Sequence, residues 1–225
     1  MRTKILSCRT LEPEVRLAMK KCGCTLELEI LQENNHDVPH LLRRSIQEKL
    51  DAMEEVDRVL MAFTTCGGAM VGLKTGAFEL VIPRLDDCLS LLMGSMEQRK
   101  AALEGGFGMF VTKGWMDHEK NTAAELERIQ CTYSPERAKR IIRAMYGNFD
   151  SLNVIDTGAY EVTAVLPRTQ TLAEQLRLKH RIVQGTTAYL EDLLQGPHNP
   201  ARFIVIPPRT TVTDADTLLL GLTSV

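Results

Sequence analysis

The sequence VLMAFTTCGG, residues 59–68, joins a run of large apolar side chains to a turn of small ones. Its first half is a short continuous apolar run, which is typical of a strand buried on both faces of a parallel sheet. Its second half places Cys66 before Gly67 and Gly68, and glycine permits a positive φ and the close approach of a ligand to the backbone. The stretch therefore predicts a central strand that ends at a candidate binding turn.

Strand-like and helix-like segments alternate on both sides of this strand. Apolar runs predict further strands at residues 3–7, 25–31, 79–83, 109–112, 153–155, 181–183 and 203–206. Helical periodicity predicts helices at residues 12–21, 39–54, 89–93, 117–145 with a break near Ser134, 172–179 and 186–194. The alternation indicates an α/β fold with a mostly parallel open sheet and helices on both faces. We expect one domain over residues 1–225, with a motif-bearing part at 1–150 and a C-terminal lobe at 151–225 flanking a cleft.

Composition indicates a soluble globular protein and excludes several classes. The chain has 225 residues and a formal net charge of −2, with basic and acidic residues interspersed, so it offers no broad basic surface for nucleic acid. The apolar run near the N-terminus is too short for the core of a signal peptide, and no run approaches the ~18 apolar residues of a membrane span. We therefore expect a cytoplasmic protein that does not bind membranes, in which cysteines stay reduced.

Three of the six cysteines follow predicted buried strands: Cys8, Cys66 and Cys88. Ligands of open α/β sheets bind outside the carboxyl ends of the strands, so residues at those ends converge. Three thiolates suit a soft metal centre, either zinc with an open position or a 4Fe-4S cluster. The other three, Cys22, Cys24 and Cys131, are interpreted as structural, since free cysteine is often a small core residue.

Further candidates surround these thiols. His36 ends the connection after the second strand, on the same side of the sheet as Cys8, and is predicted as fourth metal ligand because imidazole and thiolates suit zinc. Cys66 and Asp87 are the predicted catalytic residues, although Asp87 is equally suited to cap a helix. The predicted substrate-binding residues are Thr65, Gly67, Gly68, Thr112 and Trp115.

An ordered set of short motifs resembles an uncharacterised domain family of methanogenic archaea and anaerobic bacteria. The motifs are the stretch from Ser7 to Glu14, His36-x-x-Pro39, Cys66-Gly67, Asp87-Cys88 with a following Gly94-Ser95, and Thr112-Lys113-Gly114-Trp115. They span most of residues 1–150. Members of that family occur near corrinoid-dependent methyltransferase systems, so the resemblance implies one-carbon or cobalamin metabolism. It also implies a corrinoid protein or a small molecule as partner, and a homo-oligomer is left open.

Three classes of function follow. The first is a metal-dependent protein that acts in one-carbon or methyl transfer. The second is a cofactor-independent enzyme, since Thr64 to Gly68 resembles the cysteine loop of the aspartate/glutamate racemase superfamily, with Cys66 and either Cys8 or Cys88 as acid/base pair; the lack of a cysteine after Cys131 opposes it. The third is a non-catalytic metal or corrinoid carrier. An Asp-x-His-x-x-Gly loop is absent, which opposes cobalt ligation by histidine but leaves contact with a base-off corrinoid open.

Overall fold

The computed structural model describes residues 1–32 and 38–217, which form two compact units. Unit 1 comprises residues 1–96 together with the chain from Thr187 onward, and unit 2 comprises Glu97–Thr186. Both units are built from strands and helices, so the predicted α/β class with mostly parallel strands is confirmed. The expected single domain, and its division at residue 150, stay predictions; the two units divide the chain elsewhere.

The described residues contain eight strands and ten α-helices. In chain order they are β1 (Thr3–Cys8), α1 (Glu12–Cys22), β2 (Glu27–Leu31), α2 (Pro39–Asp51), β3 (Arg58–Met61), β4 (Glu79–Pro83), α3 (Cys88–Met93), α4 (Met96–Ala102), β5 (Gly108–Val111), α5 (Lys113–Met116), α6 (Thr122–Thr132), α7 (Pro135–Tyr146), β6 (Ser151–Asp156), α8 (Leu166–Leu176), β7 (Lys179–Gln184), α9 (Ala188–Gln195), β8 (Phe203–Ile206) and α10 (Asp214–Thr217). Short 3₁₀ turns cover Arg9–Leu11, Cys66–Gly68 and Val162–Ala164.

Unit 1 contains a five-stranded sheet in the order β2-β1-β3-β4-β8. The first four strands are parallel, and β8 is antiparallel to β4. From β1 the chain first moves one way to β2 and then back across β1 to β3. Because crossovers between parallel strands are right-handed, this reversal places α1 and α2 on opposite faces of the sheet.

The core of unit 1 follows from apolar periodicity. The central strands β1, β3 and β4 carry consecutive fully buried residues such as Ile5, Val59 and Val81, as expected for strands covered on both faces. On α2, Leu42, Ile46 and Leu50 recur at helical spacing and are each at most 1% exposed. In β2, Leu28 and Ile30 alternate with Glu27 and Glu29, and this strand lies at the edge of the sheet.

Unit 2 contains a second sheet, β5-β6-β7, in which both strand pairs are parallel. Its core forms between this sheet and helices α6 and α8, and its buried members include Val111, Leu126, Leu152, Val154 and Leu172. The apolar alternation that predicts these strands is local, and it does not reveal that they form a sheet separate from that of unit 1.

Several predicted boundaries differ from the structure. Residues 113–116 form the short helix α5, because the Thr112 hydroxyl accepts a hydrogen bond from the Trp115 N–H and caps it. The helix predicted at 172–179 begins earlier, at Leu166, where Pro167 is compatible with a first turn. Among the described residues no helix is both long and apolar enough to cross a membrane.

Candidate functional site

The candidate site lies at the topological switch point of the unit 1 sheet. The chain leaves β1 toward β2 on one side, whereas β3 lies on the other side of β1. At such a point the connections diverge and open a crevice at the carboxyl ends of the two strands. Cys8 is the last residue of β1, and Cys66 follows β3 closely, so the fold places both cysteines at this crevice.

Cys8 is buried at the end of its strand, with 2% of its surface exposed. Its Sγ lies 3.2 Å from the hydroxyl oxygen of Thr10, in the 3₁₀ turn that leads into α1. Burial raises the pKa of the Cys8 thiol above its ordinary value, and the contact with Thr10 opposes part of that rise. The thiol is therefore protonated at neutral pH in the protein as it stands.

Cys66 has an unusual backbone for its residue type. Its φ is 42°, in the left-handed region that non-glycine residues seldom occupy, and Gly67 and Gly68 continue with φ of 64° and 86°. A strained residue persists only where its surroundings hold it, and such strain concentrates at functional sites. The exposed Gly67 and the partly exposed Gly68 leave one side of this turn uncovered, and a Cβ added at Gly68 would have no atom within 4 Å.

Arg43, on α2, holds this turn from outside. Its guanidinium donates hydrogen bonds of 3.3 Å each to the carbonyl oxygens of Gly68 and Ala69. Pro39, at the start of α2, lies 3.8 Å from the position that a Cβ on Gly67 would take. Helix α2 therefore stabilises the strained backbone of this turn.

Cys88 is the first residue of α3, which follows β4 after a short turn. The Asp87 carboxylate accepts hydrogen bonds of 3.0 Å each from the N–H groups of Leu89 and Ser90, so Asp87 caps this helix. This contact is the capping role that the sequence allowed, while its predicted catalytic role stays a prediction. The cap fixes the start of α3 and hence the position of Cys88.

Cys8 raises the pKa of the other two thiols, and Cys66 raises that of Cys88. Burial raises the pKa of Cys66 to about 12, and Cys8 is the next largest contribution to that rise. The pKa of Cys88 is also raised well above its ordinary value. Burial makes the largest contribution to this rise, and Cys66, Cys8 and Asp87 contribute in decreasing order. Electrostatic interaction of this kind requires proximity, so the structure brings together three cysteines that lie far apart in sequence. The contributions that raise these pKa values come from burial, thiols and a carboxylate, so each thiol is held neutral.

This cluster is not a finished ligand shell. Over residues 1–32 and 38–217, no three His, Cys, Asp or Glu side chains are arranged as a group that could hold a metal ion. His36, the predicted fourth ligand, lies outside the described residues. The donor chemistry suits a thiophilic ion, and coordination would require the side chains to adjust around it. The predicted metal-binding role of the four residues stays a prediction.

The predicted substrate-binding residues have varied surroundings. Thr65 is 4% exposed, and its hydroxyl donates to the carbonyl oxygens of Leu85 and Asp86, which ties the Cys66 turn to the turn before α3. Thr112 and Trp115 belong to unit 2, where the Trp115 ring stacks on His118 with centroids 6.0 Å apart. Their predicted contact with substrate, and that of Gly67 and Gly68, stays a prediction.

Two residues of the site, Thr10 and Arg43, have no role predicted from sequence, and Thr64 is predicted only as part of the racemase-like loop. The hydroxyl of Thr64 lies 3.8 Å from the Cys66 Sγ. Thr10 and Thr64 each lie two residues from a candidate cysteine, and a search for hydroxyls at that spacing would have found them. Arg43 reaches the turn from a separate helix, and no local pattern indicates that contact.

Comparison with known proteins supplies one match. A family described as a protein of unknown function, DUF1638, matches residues 30–194. Cys66, Cys88 and Asp87 fall inside the matched range, whereas Cys8 precedes it. No curated protein and no solved structure matches the chain.

Proposed function

Because the chain belongs to the DUF1638 family, whose description leaves its function open, we propose from the site itself that Cys8, Cys66 and Cys88 bind one thiophilic metal ion, zinc, for use in one-carbon transfer. The observation that carries this proposal is the position of the three cysteines after the parallel strands β1, β3 and β4, at the carboxyl edge of one sheet. The contributions of Cys8 to the pKa of Cys66 and Cys88 agree with this placement. His36 is proposed as the fourth ligand or as a hydrogen-bond partner of a ligand.

The protonation of the thiols supports a metal over a metal-free acid/base pair. A cysteine that removes a proton must be a thiolate, and thiolates form beside cations or helix N-termini that lower the pKa. Here burial and, next in size, the neighbouring thiol Cys8 raise the pKa of Cys66 to about 12. A bound dication supplies the missing positive charge, since a coordinating thiol is deprotonated outright. The donor set therefore becomes reactive only in the presence of a metal ion.

The uncovered side of the Cys66 turn supports an open position for substrate. Gly67 is exposed, and Gly68 has free space where a side chain would lie. A catalytic metal site keeps one position for water or substrate, whereas a structural site is closed by four protein ligands. A bound zinc ion would hold a small thiol substrate as its nucleophilic thiolate at neutral pH.

The one-carbon reaction rests on the family resemblance rather than on the geometry. In the proposed step the substrate sulfur forms a bond to the methyl carbon of a methylcorrinoid, and the cobalt–carbon bond breaks with its electron pair remaining on cobalt. The thiol proton passes to solvent when the thiolate forms. A separate corrinoid protein would supply the methyl group, and a corrinoid would contact the uncovered turn.

Metal content tests the first part of the proposal. The protein is purified without oxygen and assayed for zinc and iron, with absorption spectra to detect a 4Fe-4S cluster. We expect about one zinc per chain in the native protein and in Cys131→Ser, whose residue is exposed and remote in sequence from the site. Cys8→Ser, Cys66→Ser and Cys88→Ser should each lose it. Cluster absorption with iron would identify the iron–sulfur alternative instead.

Activity tests the second part. Methyl exchange between methylcorrinoid and a small thiol is followed by the change in corrinoid absorption, with Cys66→Ala and Cys131→Ala as matched variants. We expect exchange that requires Cys66. Zinc binding without exchange would leave a non-catalytic metal carrier, and metal-free protein that exchanges an α-proton of an amino acid would establish the two-thiol acid/base mechanism.

A further inference from the structure

A second pair of cysteines lies at the C-terminal end of α1, where Gly23 separates Cys22 from Cys24. Gly23 has left-handed angles, φ 61° and ψ 28°. Its N–H donates to the Lys20 carbonyl at 3.3 Å, and the Cys24 N–H donates to the Met19 carbonyl at 2.8 Å. These two bonds define a Schellman cap, in which the residue after the glycine folds back against the last turn of the helix.

This cap brings the two cysteines within bonding reach. Helical backbone angles at one residue separate its neighbours' Cα atoms by about 5.4 Å, and left-handed angles give the mirror image of the same separation. Disulfides commonly join Cα atoms about 4.4–6.8 Å apart. Met19 and Cys22 share a helix face, so a Cys24 folded back toward Met19 lies beside Cys22.

The electrostatics of Cys22 agree with that placement. Burial, then Glu191, and then Cys24 raise the pKa of the Cys22 thiol. A contribution from Cys24 requires that the two sulfurs are close. Both residues are free cysteines that are partly exposed, unlike Cys8, which is 2% exposed.

The pair is also separate from the candidate site. The helix α1 starts next to the carboxyl end of β1 and runs back before the parallel strand β2 begins. Cys22 and Cys24 therefore lie at the amino edge of the sheet, whereas Cys8 lies at the carboxyl edge. Oxidation of one set of thiols does not require the other.

We propose that Cys22 and Cys24 form a reversible disulfide site that reacts with small-molecule disulfides such as oxidised glutathione. Because burial raises the pKa of Cys22, Cys24 is the thiolate that attacks first, so that a mixed disulfide forms between Cys24 and glutathione as the glutathione S–S bond breaks and one glutathione thiolate leaves. The second cysteine then attacks the mixed disulfide at the protein sulfur and releases the other glutathione. Two cysteine thiols are oxidised, one glutathione disulfide is reduced to two thiols, and the two cysteine protons pass to the departing thiolates.

This interpretation replaces the structural role that the sequence suggested for both residues. A cysteine after a capping glycine often serves as a small apolar side chain, which explains Cys24 alone. It does not explain a second, partly exposed thiol, Cys22, directly before the glycine. The paired geometry is what makes intramolecular bonding available.

Mass spectrometry tests the proposal on the full chain. The reduced protein is incubated with oxidised glutathione, remaining thiols are alkylated, and the protein is digested with trypsin. Cleavage after Lys21 and Arg43 releases one peptide that contains Cys22 and Cys24 and no other cysteine. We expect this peptide to become lighter by two hydrogens and to carry no glutathione, and to regain both thiols on reduction.

Matched variants separate pairing from simple exposure. In Cys22→Ser or Cys24→Ser, glutathione should stay attached to the remaining cysteine, because the neighbouring thiol that releases it at an effective concentration of about millimolar or more is gone. Cys131→Ser should behave as the native chain. Stable glutathione adducts on both cysteines of the native peptide, or alkylation of both after incubation, would overturn the proposal. Zinc content measured on the same variants should stay native, which keeps this result independent of the proposed metal site.

Discussion

Replacing Cys66 by alanine in the metal-free protein should make the free energy of unfolding fall less steeply with rising pH in the alkaline range. In the folded chain, burial and Cys8 raise the pKa of Cys66 from 9.0 to about 12. Between these two pH values the thiol of the unfolded chain is ionised while that of the folded chain keeps its proton. The unfolded state then binds fewer protons than the folded state, so the free energy of unfolding falls as pH rises through this range and is unaffected below it.

The size of the effect follows from that difference in proton binding. Each pH unit above 9 shifts the folding equilibrium by at most about a factor of ten per buried thiol, or roughly 1.4 kcal/mol. Cys8 and Cys88 act in the same direction, because burial raises the pKa of each. Removing Cys66 should therefore remove about a third of the slope that the three share, because burial, the largest contribution to the raised pKa of Cys8 and Cys88, remains.

The assay is urea unfolding followed by far-UV circular dichroism, with a chelator present, at several values from about pH 8 to about pH 10.5. Trp115 is the only tryptophan and lies in unit 2, so its fluorescence follows that unit in the same samples. Cys131→Ala, at an exposed position, should keep the native slope. Equal slopes for the native protein, Cys66→Ala and Cys131→Ala would refute the desolvation of Cys66 and with it the case against a metal-free acid/base pair.

Two further predictions concern the residues that position the thiols. Asp87→Ala should lower the free energy of unfolding by about 1 kcal/mol in urea denaturation, whereas Asp87→Asn should retain most of the cap that fixes Cys88, and equal losses would exclude the capping role. Arg43→Leu should weaken zinc binding by up to about thirtyfold in a competition titration, because it removes two donors to the Cys66 turn at roughly 1 kcal/mol each. Arg44→Leu, on the exposed side of the same helix, should bind zinc as the native chain does, and parallel losses in both variants would exclude a specific role for Arg43.

The sequence predicts the class of fold because that information is local. Continuous apolar runs indicate buried parallel strands, and the structure places β1, β3 and β4 in that arrangement. The division into two units depends instead on which strands pair. The last strand of the unit 1 sheet, β8, follows unit 2 in the sequence. Residues 203–206 have the pattern of an ordinary apolar strand, and that pattern does not indicate that their partner is β4 or that the pairing is antiparallel.

The candidate site is likewise only partly predictable from the sequence. The positions of Cys8 and Cys66 follow from strand ends, since carboxyl ends of parallel strands meet at one edge. The positive φ of Cys66 cannot be predicted from its residue type, because left-handed backbone is typical of glycine, asparagine and aspartate and rare for cysteine. Arg43 is hidden for a different reason: it contacts the turn from another helix, and only the packing of α2 on unit 1 reveals the two hydrogen bonds.

The choice between thiol chemistries also requires the structure. A cysteine works as a base or nucleophile in its thiolate form, and sequence specifies the residue without its surroundings. Here burial and a second thiol raise the pKa of Cys66, and burial and two thiols raise the pKa of Cys88, so both are neutral at neutral pH. Each must lose its proton to bind a metal ion. The ion offsets the free energy of this deprotonation because it neutralises thiolates that would otherwise repel one another. We therefore propose that this cluster is inert alone and reacts only with a metal ion bound, and metal dependence is the property that we place at the centre of the proposed function.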